Sequence, residues 1–143
     1  MKRLLLLVFP MILIILCFCL SSGTMKDIFE EEIFVEYKEI TYAESNLGFV
    51  VEEKLGSNYL KYVSKGKVVG ECLFFNAGKH NANYLAEKLG LMITSSYFVD
   101  GKQIVEGVST LLKYKIDGKK ANVQMAISDE QIIIGTPIIY GSY

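Results

Sequence analysis

The side chains able to do chemistry are few, and their spacing does not assemble a catalytic set. His80 is the only histidine; Cys17 and Cys19 lie in an apolar opening stretch, which leaves Cys72 as the one cysteine beyond it. Neither a zinc site with normal ligand spacing nor a cysteine–histidine pair follows from that inventory. Glu30-Glu31-Glu32 and Glu52-Glu53 bring carboxylates together along the chain. An acid–base pair needs two carboxylates that converge on a pocket in different environments, so these runs read as solvated faces. Gly135-Thr136-Pro137 lacks the glycine framework and lysine of a phosphate-binding loop and falls inside a predicted strand. The sequence therefore assigns no catalytic residue, no cofactor and no metal.

The lysines offer more. Lys113, Lys115, Lys119 and Lys120 surround Tyr114 and form the candidate binding patch, and Tyr59, Lys61, Tyr62 and Lys65 repeat the mixture upstream. Both sets fall on predicted hairpins, where lysines also guard exposed edges. A patch of this kind suits an anionic envelope polymer or lipid headgroups. Nucleic acid is not expected, because the formal net charge is −1 and an electrostatic footprint for DNA or RNA needs a basic domain. Charge is unevenly placed: residues 27–53 hold nine acids against Lys38, whereas residues 54–120 hold eleven lysines against five acids.

The opening residues decide where this domain works. Met1-Lys2-Arg3 is followed by Leu4 through Leu20 without a charge, the order that export machinery reads. Seventeen apolar residues suit either a signal peptide or a short membrane anchor. Ser21 and Gly23 favour cleavage after Gly23, which would take the formal charge to −3 by removing Lys2 and Arg3. Leu16 and Phe18, which precede Cys17 and Cys19, are too large for a lipid-attachment motif. The expected organisation is a signal peptide or membrane anchor over 1–23, a polar tether over 24–32 and a single α+β domain over 33–143. The domain is expected outside the cytoplasm, secreted or anchored to the outer face of the cytoplasmic membrane, touching membrane only through an uncleaved amino-terminal segment. Cys72 then has no intrachain disulfide partner and reads as a buried thiol.

Elements follow from periodicity. Ile33 to Ala43 is rich in β-branched and aromatic residues and predicts a strand. Ser45 is placed to cap a short helix to Leu55, with Leu47, Val50, Val51 and Leu55 on one face and Gly56 as its stop. Asn58–Ser64 and Lys67–Phe75 flank Lys65-Gly66 and predict a hairpin. Ala82, Leu85, Ala86, Leu89 and Ile93 recur at helical spacing, with Gly90 placed to stop the helix. The remainder predicts strands near 91–99, 102–112, 120–127 and 131–140. In the third, Ala121, Val123, Met125 and Ile127 alternate with the more polar face of Asn122, Gln124 and Ala126, while Pro137 predicts an edge or a bend in the fourth. No internal sequence repeat is visible.

The carboxyl-terminal run, Asp117-Gly-Lys-Lys-Ala-Asn-Val-Gln-Met-Ala-Ile127, then a short turn and Ile132-Ile-Ile-Gly-Thr-Pro-Ile-Ile-Tyr-Gly-Ser-Tyr143, resembles YwmB-like exported proteins of Gram-positive bacteria. Leu85 to Gly90 and Val105-Glu106-Gly107-Val108-Ser109 resemble that family's helix and following strand. The resemblance implies one or two helices on one face of a curved antiparallel sheet, similar in shape to the TATA-box-binding protein. It implies no catalytic residues, and fold likeness alone transfers no DNA binding. The expectation is an exported, cell-envelope-associated, non-enzymatic binding module for an envelope protein or polymer. The alternatives are an enzyme whose site converges only in three dimensions, or a carrier of a small apolar ligand.

Overall fold

The computed structural model describes residues 23–33, 38–45, 48–55 and 58–139, with backbone alone for 38–45 and 48–55. Residues 1–22, which hold the apolar start, lie outside them. The chain is α+β. Helix α1 (Met25–Ile28) and a 3₁₀ turn (Glu30–Glu32) precede strands β1 (Lys38–Ser45), β2 (Gly48–Leu55), β3 (Tyr59–Ser64) and β4 (Lys67–Asn76). Helix α2 (Ala82–Lys88) then precedes β5 (Met92–Val99), β6 (Lys102–Val108), β7 (Val123–Ile127) and β8 (Gln131–Thr136).

All strands form one antiparallel sheet in the order β1-β2-β3-β4-β8-β7-β6-β5. A helix followed by a four-stranded meander thus occurs twice, and the two meanders join where β4 pairs with β8. This repetition is architectural and leaves no trace in the sequence. Two of the hairpin turns are built from Lys65-Gly66 and Asp100-Gly101, all four residues at positive φ. Two such residues match the right-handed twist of the flanking strands, and glycine takes the second position without steric cost.

Both helices pack on one face. Met25 and Phe29 from the amino-terminal segment and Leu85 and Leu89 from α2 and its end meet Tyr59, Leu73, Phe75, Met125, Ile132 and Ile134 of the sheet. The opposite face carries Tyr62, Cys72, Ile104, Ala126 and Ile133, covered by Ile138 and Ile139 after the chain bends at Pro137.

Three expectations change, and a fourth, at Pro137, is narrowed to one of its two alternatives. Gly48–Leu55 is strand, not helix, and Leu47 of the expected helix lies outside the described residues: Gly48 disfavours a helix interior, Phe49-Val50-Val51 favours a strand, and β2 finds ladders on both sides in β1 and β3. Residues 24–32 are no tether. Thr24 and Asp27 form a capping box around α1, and Met25 and Phe29 are fully buried, worth about 1.5–3 kcal/mol each relative to exposure. The Asn122, Gln124 and Ala126 face of β7 is buried as well, because the returning Ile138–Ile139 segment covers it. Pro137 marks a bend, as β8 ends at Thr136, but β8 lies inside the sheet between β4 and β7.

Candidate functional site

A charged side chain in the middle of the apolar strand β4 organises one end of the molecule. Glu71 is 1% exposed and points to the helix-bearing face. Its Oε2 accepts the backbone N–H of Met25 at 2.8 Å, and its Oε1 accepts the hydroxyl of Tyr59. Burial, and then the Glu71 carboxyl, push the Tyr59 hydroxyl well above its ordinary pKa. Both groups are sealed from solvent, so the pair fastens α1 to the sheet and offers no access to a substrate.

Other contacts complete the fastening. Lys88 Nζ lies 2.6 Å from Glu32 Oε1 and 5.1 Å from the centre of the Phe29 ring, and the hydrogen bond to Glu32 holds the lysine pKa above its ordinary value. The side-chain amide of Asn58 donates to the Glu32 carbonyl. Gly23 donates its N–H to the Leu111 carbonyl at 2.7 Å and accepts from the Lys113 N–H at 3.1 Å, a parallel bridge that lays the start of the domain along the 109–122 loop.

That loop, which joins β6 to β7, holds all five residues of the candidate patch, so they sit on a long connection and not on a hairpin. Its base is fixed from inside. Asn122 is 2% exposed; its amide donates to the carbonyls of Ser109 at 2.8 Å and Leu112 at 3.4 Å, and its oxygen accepts the Ser109 N–H at 2.8 Å. Ser109 Oγ donates to the Leu89 carbonyl at 2.6 Å and Thr136 Oγ1 to the Asn122 carbonyl at 2.8 Å. Lys113, Lys115, Lys119 and Lys120 are exposed. Lys113 Nζ stands 5.1 Å from the Tyr114 ring centre. Half-buried Tyr114 has its hydroxyl pushed up to about 12 by desolvation, then by Glu71 and Asp27.

Lys119 and Lys120 turn toward a groove of about 310 Å³ shared with Glu106, Gln124 and Pro137. Glu106 is the hub of that side: it accepts from Ser95 Oγ at 3.2 Å, Tyr97 hydroxyl at 3.4 Å and Gln124 Nε2 at 3.1 Å. Gln124 in turn accepts the Ile139 N–H at 3.2 Å. A second groove of about 430 Å³ is lined by Asn58, Phe74, Phe75, Asn76, Glu130 and Gln131. Each groove presents a single carboxylate, and no cluster among the described residues has the composition of a metal site. His80 packs edge-on against Phe75 with ring centres 5.1 Å apart, and Asn81 caps α2.

The other feature is an edge. Among the described residues strand β5 pairs with β6 alone and closes one side of the sheet. Its eight residues, Met-Ile-Thr-Ser-Ser-Tyr-Phe-Val, carry no charge, yet Met92, Ile93 and Phe98 are 63%, 60% and 75% exposed. A bulge between Ile93 and Ser95 twists the first residues and leaves Ser96–Val99 in regular register. Sequence reading found the strand but not its place, because an uncharged run such as 92–99 suits an interior strand as well as an edge. Glu71 announced itself as the one charge in Val68–Phe75. Among the described residues no helix is long and apolar enough to cross a membrane. Searches against family models, curated proteins and solved structures find no match to this chain.

Proposed function

We propose that the chain is an exported, non-enzymatic binding module that accepts an extended segment of a protein partner on the outer edge of β5. The observation that carries this reading is the edge itself: eight uncharged residues that, among the described residues, pair as a strand with β6 alone, with large apolar side chains standing in solvent. Edge strands of soluble domains are ordinarily guarded by lysine, proline or a covering element. An edge without charge or proline is a template for strand addition, in which main-chain hydrogen bonds supply affinity and alternate side chains supply selectivity. Tyr97 and Ser95, held by Glu106, would fix hydroxyls on one face, while Ile93 and Phe98 offer apolar contact on the other. The apolar opening sequence and the likeness to YwmB-like exported proteins support an extracytoplasmic setting.

The test is site-specific photocrosslinking in the cell that makes the protein, with the reactive residue at Phe98 and a control at exposed Tyr84 on α2. One discrete protein adduct from position 98 and none from 84 is expected, and Ile93→Lys with Ser96→Lys should remove it. No adduct at position 98, or one indifferent to the two lysines, overturns the edge reading.

A further inference from the structure

The end of the sheet where the chain enters is chemically distinct. The turn at Lys65-Gly66 and the 109–122 loop lie at the same end, since β4 begins there, β6 finishes there and β7 begins there. Six exposed lysines, Lys65, Lys67, Lys113, Lys115, Lys119 and Lys120, occupy these connections against one exposed acid, Asp117. The turns at the opposite end, 77–79, 100–101 and 128–130, carry Asp100, Asp129 and Glu130 against Lys79. Leu111, 44% exposed, adds an apolar side chain to the basic end.

Gly23 is hydrogen-bonded on both sides to this loop. Only Ser21 and Ser22 separate it from Leu20, the last residue of the uncharged run. Three chain steps span at most about 11 Å, against roughly 5–8 Å for the headgroup layer on one side of a bilayer. With Met25 and Phe29 packed into the core, residues 24–32 add no slack between apolar run and domain. Cleavage after Gly23 would also delete both backbone hydrogen bonds of the bridge.

We propose that Leu4–Leu20 is retained as a membrane anchor, and that the end of the domain bearing Leu111, Lys113 and Lys115 rests on the anionic headgroups of the bilayer that holds it. Lys2 and Arg3 stay on the cytoplasmic side, as positive flanks do, so the domain stands outside. Asp27 lies close enough to Lys113 to be stabilised by it, which offsets part of one lysine and leaves the others for lipid. Each lysine near such a surface contributes about 1 kcal/mol, or about fivefold in partition. The orientation leaves the β5 edge free to bind, and neither proposal depends on the other.

Two measurements test it. The mass of the chain recovered from the membranes of its own cell should be that of the unprocessed protein; a mature chain beginning at Thr24 overturns retention. The full chain has no tryptophan, so Leu111→Trp is a single reporter at the basic end, and Asp129→Trp is its control across the five-residue strand β7, about 17 Å away. With the full chain in vesicles of phosphatidylglycerol and phosphatidylcholine, a headgroup-attached quencher should quench the Leu111→Trp reporter several-fold more than the Asp129→Trp control. Lys113→Glu with Lys115→Glu, or pure phosphatidylcholine, should remove most of that difference. Equal quenching at the two positions overturns the orientation, and a difference unaffected by either change overturns the part assigned to the lysines.

Discussion

Glu71 and β5 invert the usual rule in opposite directions. Glu71 puts a carboxyl in the middle of a central strand, where an apolar residue is the norm, and is 1% exposed. Strand β5 puts Met92, Ile93 and Phe98 at an open edge, where charge is the norm. The buried carboxyl has a partner on each oxygen, both supplied by the chain itself, so its requirements are met within the fold. The edge leaves its requirements unmet within the described residues. A polar group bought at the cost of desolvation fixes the amino-terminal segment; the apolar groups of β5 find no cover among the described residues, and the proposed strand addition would supply it.

The comparison predicts where substitutions hurt. Glu71→Leu leaves the Tyr59 hydroxyl and the Met25 N–H buried without an acceptor, at about 1–3 kcal/mol each, so stability should fall by about 2–6 kcal/mol. Glu71→Gln retains one acceptor and should lose about half as much. Urea unfolding measures both, and a Glu71→Leu protein as stable as the parent would show that the carboxyl does not fasten α1.

Two phenylalanines sharpen the contrast at the next level. Phe29→Ala removes a fully buried ring packed on Phe75 at 5.4 Å between centres and should cost about 3–5 kcal/mol. Phe98→Ala, at 75% exposure, should change stability by no more than about 0.5 kcal/mol while weakening partner binding. Equal losses in thermal or urea unfolding would mean that β5 is covered within the chain itself, and the edge would cease to be a binding surface.

Much of this fold was legible where local chemistry agrees with tertiary context. Lys65-Gly66 between β-rich arms and the stripe Ala82, Leu85, Ala86, Leu89 each had one reading, and the structure keeps both. The stripe Leu47, Val50, Val51, Leu55 fits a helix as well as a strand, and only pairing to β1 and β3 decides. Residues 24–32 hold a capping box and an apolar Met25–Ile28–Phe29 stripe, but three consecutive glutamates obscure them. Of the proposed binding features, the lysines were visible as a patch. Their gathering at one end with Lys65 and Lys67 depends on sheet order, which no short-range pattern encodes. The exposure of β5 depends on the same order, since the strand's composition suits an interior position equally well.

The smallest effect concerns the seam between the fastened segment and the basic end. Asp27 is held below its ordinary pKa of 3.8, first by the hydrogen bonds from Thr24 and then by Lys113 and Lys26. A carboxylate with a depressed folded pKa contributes stability that is fully present above its unfolded value and is lost as pH falls through the folded one. The capping box should therefore contribute fully above about pH 4 and fade only below it. In urea unfolding followed from neutral to acidic pH, Asp27→Asn should be slightly less stable than the parent at neutral pH, with the gap closing below pH 3.8. Lys113→Ala should bring the Asp27 titration, followed by the carboxyl carbon signal in NMR, back toward its ordinary value. A titration that does not move would show that Lys113 has no part in stabilising the Asp27 carboxylate of the capping box.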